Sequence, residues 1–202
     1  MVTILLTGFE PFASAARNSS WDAVERVAET WSGEDELVIE RLPVTFAGAG
    51  RAMRQLIKHR HPDLVIATGL ANGRAAITPE RIAINVEDAR IPDNDGDQPT
   101  DREIGSEAAF LTGLPVKAIV ERIRAAGIPS ELSNTAGTYV CNSLMYQLMQ
   151  AIDPDEVLAG FIHVPNSPEL AAGTDEAFLE IEDIARGLTI AIEVSLEGLR
   201  VG

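Results

Sequence analysis

The stretch VTILLTG, residues 2–8, decides the fold of this 202-residue chain. Its first five residues predict a short apolar strand that ends at the glycine. A helix should follow, because Trp21, Val24 and Val27 recur at helical spacing after Asn18, a residue type that caps helices. An apolar strand that is followed by such a helix is the unit from which parallel sheets are built.

The same alternation continues along the chain. Further strands are predicted at residues 37–44, 64–68, 75–86, 108–111, 129–133 and 157–164. Helices are predicted at residues 47–60, 116–126, 141–152 and 175–196. Strands that alternate with helices of this length indicate a mainly parallel sheet that is covered on both faces. We therefore predict one α/β domain over residues 1–202, with an open, twisted, mostly parallel sheet and helices on both faces.

The composition restricts the class of function. The formal net charge of −15 argues against nucleic acid, since phosphate backbones are bound by clustered lysine and arginine. No stretch approaches the roughly 18 apolar residues of a membrane span, and the first residues do not form a signal peptide. A single cysteine cannot form an internal disulfide, which suits a reducing compartment. We expect a cytoplasmic protein that binds neither nucleic acid nor membrane.

Cys141, the single cysteine, allows two interpretations. A free cysteine usually behaves as a small buried hydrophobic residue. However, the loop at residues 134–139 gives way here to a helical pattern, so Cys141 falls in the first turn of a helix. The free N–H groups and the partial positive charge of a helix start lower the pKa of a thiol and could stabilise an oxyanion. The position favours a reactive thiol without deciding the question.

A cysteine nucleophile needs a base, and the chain has three histidines. His59 and His61 fall at the end of a surface helix, where cationic residues complement the helix dipole, so we interpret them as capping residues. His163 lies near the carboxyl end of a strand that is apolar on both faces. It is either a core histidine bonded to backbone or a functional group, because open α/β sheets place their sites at these strand ends.

Glu80 is the best candidate for the group that would orient the imidazole of His163. It shares an alternation face with two isoleucines, so its side chain faces apolar surroundings, where an unpaired carboxylate is costly. A structural salt bridge to Arg74, Arg81 or Arg90 is the alternative, and the residues alone do not separate the two.

Three loops carry further signals. RIPDNDGDQP, residues 90–99, lacks the spacing of a calcium loop and is interpreted as a rigid, turn-rich loop. GLANGR, residues 69–74, lacks the Gly-Lys-Ser/Thr ending of a phosphate loop. Phe9 and Phe12 follow the first strand, at the edge where ligands bind, and either line a pocket or pack under the loop.

Five segments together resemble pyroglutamyl peptidase I, the pyrrolidone-carboxylate peptidase family of cysteine peptidases. They occur in the family's order and extend over most of the chain. The segments are LTGFEPF at residues 6–12, ERIAIN at 80–85, RIPDN at 90–94, GTYVCN at 137–142 and FIHVP at 161–165.

The resemblance implies an exopeptidase that removes an N-terminal pyroglutamyl residue from small peptides, needs no cofactor or metal, and assembles as a homotetramer or dimer. It further implies that Cys141 is the nucleophile, that His163 is the general base and later the acid, and that Glu80 orients His163. The substrate-binding residues that it implies are Phe9, Phe12, Leu70, Arg90, Ile91, Tyr139 and Val140.

The chain departs from the family pattern at three positions. Leu70 stands where the family usually has a glutamine that is thought to help read the lactam, Asn72 stands at a usual glycine, and Ser19 stands at a usual proline. Loss of one hydrogen bond to a neutral group would cost on the order of 1 kcal/mol of binding. A related thiol amidohydrolase with another acyl specificity, and a catalytically silent binding protein of the same fold, are therefore the alternatives.

Overall fold

A five-stranded sheet forms the centre of the molecule in the computed structural model, which describes residues 1–13 and 15–201. The strands are β1 Thr3–Phe9, β2 Glu36–Leu42, β3 Leu64–Leu70, β4 Thr78–Pro79, β5 Ile82–Ile84, β6 Ala109–Leu111 and β7 Leu158–Val164. The helices are α1 Ser19–Thr30, α2 Phe46–Arg60, α3 Val116–Ala125, α4 Val140–Ala151, α5 Pro168–Ala171 and α6 Ile181–Val201.

The sheet has the strand order β2-β1-β3-β7-β4. The first four strands in this order are parallel, and the two-residue β4 pairs antiparallel with β7 at the edge. A separate antiparallel pair is formed by β5 and β6. The predicted single α/β domain with a mostly parallel sheet is confirmed.

Both faces of the sheet are covered, because the side chains of each central strand are apolar in both directions. In β1, Ile4 and Leu6 belong to the core that packs against α1, α3 and α6. Leu5 and Phe9 belong to the core that packs against α2 and α4. The second of these two faces, which we call the α2/α4 face, carries the candidate site.

The helix ends follow the local sequence. The side chain of Asn18 accepts a hydrogen bond from the N–H of Ser20 and caps α1, as predicted. After α3, Gly127 has φ +81°, a left-handed conformation that glycine adopts without penalty and that ends the helix. His59 and His61 are exposed at the carboxyl end of α2, as the sequence predicts.

Three predicted elements differ from the structure. The strand predicted at residues 75–86 is divided into β4 and β5, which belong to different sheets. Residues 129–133 form no strand but contribute isolated bridges, Ile77 with Ser130 and Glu80 with Ser133, because the partner segment is itself broken at Pro79, which cannot donate to a ladder. The terminal helix begins at residue 181 rather than 175. The preceding residues are extended against the loop after β7, where Phe178 forms a bridge with Asn166.

Within the described residues, no helix has both the length and the apolarity needed to cross a membrane.

Candidate active site

The thiol of Cys141 and the imidazole of His163 lie on one face of the sheet, at the carboxyl ends of β3 and β7. Gly69 is in register with His163, so both positions point to the α2/α4 face. A Cβ atom built on Gly69 would come within 2.8 Å of the Cys141 sulfur and 2.9 Å of the Phe161 ring. The sulfur therefore lies directly over Gly69, whose register partner in β7 is His163. Among the described residues, no hydrogen bond joins Cys141 to His163 in this state.

Glu80 is paired with His163. The His163 Nδ1 and the Glu80 Oε1 are 2.7 Å apart, and the two residues are only 4% and 0% exposed. The main chain fixes the carboxylate, since the N–H of Glu80 donates to the carbonyl of Phe161 in β7. Arg74 donates from Nη1 to the same Oε1 at 2.6 Å and to the Thr78 hydroxyl at 2.5 Å. Glu80 therefore both contacts the imidazole of His163 and forms a salt bridge with Arg74, the two roles that the sequence left open.

The charges of this group are set by burial and by its neighbours. Burial by itself raises the pKa of Glu80, but the hydrogen bond and charge of His163, with the nearby Ser133 hydroxyl and Arg74, outweigh it and lower that pKa. Burial lowers the pKa of His163, and the charge of Arg74 lowers it further, against the opposing effect of Glu80. At neutral pH the carboxylate is ionised and the imidazole is neutral. Since an ionised carboxylate can only accept, Nδ1 donates and Nε2 is left as an acceptor.

Cys141 is the second residue of α4. The helix has its N-cap at Tyr139 without a side-chain capping bond, and the first hydrogen bond runs from the N–H of Ser143 to the Tyr139 carbonyl at 3.1 Å. The side chain of Cys141 is partly exposed. Burial nevertheless raises the pKa of the thiol to about 12, the charge of Glu80 adds to this, and Arg74 opposes it. The direction is opposite to the one that the helix start favours, and desolvation is the largest cause of the raised pKa.

Aromatic side chains stand beside the thiol. The ring centroid of Tyr139 is 5.5 Å from that of Phe12 and 5.2 Å from that of Phe46. Phe12 and Tyr139 are partly buried and pack against the same core as Cys141. Phe9 and Val140 are almost fully buried in that core. The neighbourhood of the sulfur is thus apolar, with Phe12 and Tyr139 as its accessible wall.

A sequence model of the family described as pyroglutamyl peptidase matches residues 2–198. The chain belongs to the pyroglutamyl peptidase family. It is 45% identical over 199 residues to a pyrrolidone-carboxylate peptidase of Clavibacter michiganensis subsp. michiganensis, covering 97% of this chain and 93% of that protein. It is 46% identical over 195 residues to one of Pseudomonas fluorescens, covering 95% of this chain and 92% of that protein.

Solved structures agree with this family membership. The pyroglutamyl peptidase I of Bacillus amyloliquefaciens superimposes with a TM-score of 0.92 at 43% identity, covering 96% of this chain and 94% of the other. The pyrrolidone carboxyl peptidase of Thermococcus litoralis gives 0.93 at 35% identity, covering 99% and 96%. The resemblance drawn from five short segments is confirmed over nearly the whole chain.

The loop that carries Arg90 and Ile91 lies next to the aromatic wall of this family member, since the Tyr139 hydroxyl donates to the Pro92 carbonyl at 2.9 Å. Ile91 is 46% exposed, and Arg90 is exposed as well. The arginine whose charge lowers the pKa of the thiol is Arg74.

Asp93 gives this loop its rigidity. Its Oδ2 accepts from the N–H of Phe46 at the start of α2, at 2.8 Å. Its Oδ1 accepts from the N–H groups of Asp95 and Asp97, both at 2.9 Å. The Asp93 carboxylate thus binds backbone donors, as expected of a turn-rich loop.

In the described part of the chain, no group of three or more His, Cys, Asp or Glu side chains is placed to hold a metal ion.

Leu70 lies away from the other predicted substrate contacts. It is the last residue of β3 and is in register with Val164, whose side chain belongs to the core under α1, α3 and α6. Alternation along the strand directs the side chain of Leu70 to that opposite face, while Gly69 faces the thiol. The departure from the family's glutamine therefore changes a side chain outside the described site.

Asn142 is a site residue that sequence reasoning missed. It is fully buried, and its Nδ2 donates to the carbonyls of Ile84 and Val86, both at 2.9 Å. Its Oδ1 accepts from the N–H of Ile84 at 3.0 Å. These three bonds fasten the first turn of α4 to β5 and so fix the position of Cys141. An asparagine directly after the cysteine, in the first turn of the helix, was the available signal.

Proposed function

We propose that this chain hydrolyses the amide bond that follows an N-terminal pyroglutamyl residue of small peptides. Cys141 is the nucleophile, His163 is the general base and acid, and Glu80 orients the imidazole. One observation carries the proposal, namely a buried Glu80–His163 pair at 2.7 Å on the same sheet face as a sulfur that lies over Gly69.

The first step follows from the resting protonation states. A thiol with a pKa of about 12 is neutral, and the imidazole beside it is neutral as well. The Cys141 proton therefore moves to Nε2 of His163 as the sulfur attacks the pyroglutamyl carbonyl carbon. The ionised Glu80 stabilises the imidazolium that forms, as the carboxylate of a catalytic triad does. The hydrogen bond between the thiol and the imidazole forms when the substrate is bound, as is common in such sites.

The negative charge then moves from the sulfur to the carbonyl oxygen. The free N–H groups in the first turn of α4, which carries Cys141, would donate to that oxyanion. Collapse of the tetrahedral intermediate breaks the C–N bond, and the leaving amine takes a proton from His163. The thioester of Cys141 that remains is hydrolysed by a water molecule that His163 deprotonates, and the thiol is regenerated.

The apolar neighbourhood suits the substrate. A pyroglutamyl residue has no ammonium group, so its pocket needs no carboxylate anchor and can consist of apolar side chains with a few backbone donors and acceptors. Phe12 and Tyr139 are placed to contact the lactam ring, over a floor that includes Phe9 and Val140. Ile91 and Arg90, exposed on the adjoining loop, are placed to contact the residue that follows.

The test is the release of a fluorescent amine from a 5-oxoprolyl amide. We expect the wild-type protein to cleave it, and to leave the matching prolyl amide, which carries an ammonium group, uncleaved. Cys141→Ala should reduce kcat by at least about a thousandfold, as removal of a nucleophile does. Equal rates for the wild type and Cys141→Ala would refute the proposal.

No observation favours the two alternatives. An altered acyl specificity was suggested by Leu70, whose side chain faces the other side of the sheet. A silent binding protein would not need a fully buried carboxylate held against an imidazole. Location in the cytoplasm and assembly into a homotetramer or dimer remain predictions, and light scattering on the purified protein tests the second.

A further inference from the structure

We infer that Arg74 is a positioning residue for the proposed reaction: it holds the Glu80 carboxylate ionised and aimed at His163, so that the imidazole remains a neutral base. The inference rests on the proposed function. Arg74 was only one of three candidate salt-bridge partners in the sequence, and the geometry selects it.

The contacts of Arg74 are directed at the carboxylate. Nη1 lies 2.6 Å from Glu80 Oε1, the same oxygen that accepts from His163 Nδ1 at 2.7 Å. Nη1 also donates to the Thr78 hydroxyl, and Nη2 donates to the Thr135 carbonyl at 3.1 Å. Both anchors hold the guanidinium plane in place. The other carboxylate oxygen, Oε2, has no hydrogen-bond partner among the described residues.

A counter-charge is required at this position. Glu80 is fully buried, and an ionised carboxylate without a positive partner is strongly disfavoured there. Two groups could supply the charge, a protonated His163 or Arg74. A protonated His163 could not accept the thiol proton, so a general base requires the charge to come from Arg74. The Arg74 side chain is 28% exposed, so it retains part of its hydration while neutralising the carboxylate.

The charged and titratable groups that affect one another here, and the Ser133 hydroxyl beside them, come from five segments of the chain. They are Arg74 after β3, Glu80 with the Ser133 hydroxyl beside it, His163 in β7 and Cys141 in α4. Removing the guanidinium raises the pKa of Glu80, because a stabilising partner of the ionised form is lost. It also raises the pKa of His163, because a like charge is lost. Both changes move the acidic limb of kcat/KM to higher pH.

The experiment compares Arg74→Met with Arg81→Met over pH 5 to 9, using the 5-oxoprolyl amide. Arg81 adjoins Glu80 in sequence, and its side chain takes part in no ion pair within the described structure, so it is a matched control. We expect Arg74→Met to lose about ten- to a hundredfold in kcat/KM at pH 7, the size of one charged hydrogen bond, and to shift the acidic limb upward. Arg74→Lys keeps the positive charge and should return the acidic limb of kcat/KM to the pH of the wild type. An acidic limb of Arg74→Met that coincides with that of Arg81→Met overturns the inference.

A second measurement needs no substrate and separates this inference from the proposed function. The ¹⁵N resonances of His163 report which ring nitrogen carries the proton. We expect an Nδ1–H imidazole in the wild type and a mixture with Nε2–H in Arg74→Gln, a variant that keeps hydrogen-bond donors and so favours folding. If the wild type fails to cleave the amide, the proposed function is refuted, and this measurement decides the role of Arg74. A purely Nδ1–H imidazole in Arg74→Gln would overturn it.

Discussion

The space over Gly69 gives the sharpest test of where the sulfur lies. A Cβ atom in Gly69→Ala would stand 2.8 Å from the Cys141 sulfur and 2.9 Å from the Phe161 ring. These distances are about 1 Å shorter than ordinary van der Waals contacts. The aromatic ring is fully buried in the core, so the thiol at the open end of the site is the group that moves.

Two magnitudes follow. Overpacking of this kind costs about 1–3 kcal/mol of folding free energy, which lowers Tm by about 2–12 °C in a chain of this size. A displacement of the nucleophile by about 1 Å costs about a hundredfold in rate. We therefore expect Gly69→Ala to fold, to melt several degrees below the wild type, and to lose about a hundredfold in kcat/KM on a 5-oxoprolyl amide.

Gly8→Ala is the matched control. Its Cβ would lie 2.8 Å from the main chain of Ser20 and Trp21, an overlap of the same size on the opposite face of the sheet. This variant should melt lower as well but keep kcat/KM within about threefold, since its strain does not reach the thiol. If Gly69→Ala were as active as Gly8→Ala, the sulfur could not lie over Gly69, and the reasoning about the site would be refuted.

Two further predictions concern the departure from the family and the resting thiol. Leu70→Gln should change kcat/KM on the 5-oxoprolyl amide by less than about threefold, because the side chain faces away from Cys141, and a tenfold gain would show that position 70 contacts the substrate. With a pKa of about 12, about one thiol in ten thousand is ionised at pH 8, so iodoacetamide should modify Cys141 slowly and about tenfold faster with each pH unit up to pH 11. A rate that reaches its plateau below pH 9, followed by mass spectrometry, would indicate a preformed thiolate.

The spacing of apolar residues predicted the fold well because the central strands are apolar on both faces and the helices are long. The same spacing failed where two segments form only isolated β-bridges instead of a continuous ladder. Residues 129–133 were predicted as a strand, but they meet their partner segment only at isolated bridges. The start of α6 was misplaced because a tertiary contact, the N–H of Leu179 donating to the Asn166 carbonyl, holds the preceding residues extended. No local signal reports such a contact.

The sequence predicted which residues form the candidate site. It did not predict the ion-pair partner of Glu80 or the pKa of the thiol. Cys141, His163 and Glu80 each stood out from a local pattern, a helix start, a strand end and an alternation face. The choice among Arg74, Arg81 and Arg90 as partner of Glu80 depends on how separate segments pack, which spacing does not encode. The helix start favours a lowered pKa of the thiol, whereas burial raises that pKa in the structure. A helix start is visible in the sequence, but the desolvation around it is not.

The neutral thiol is compatible with efficient catalysis because the resting charges already balance. Arg74 and Glu80 form one ion pair, and His163 and Cys141 add no charge. In the proposed reaction, proton transfer to the imidazole creates a second ion pair only when a carbonyl is present to receive the negative charge. The imidazolium of that proposed step forms against a carboxylate already 2.7 Å away. The same low-polarity surroundings that disfavour a free thiolate strengthen these interactions in the transition state. They also keep the resting sulfur in the form that is less readily oxidised, because oxidation proceeds through the thiolate.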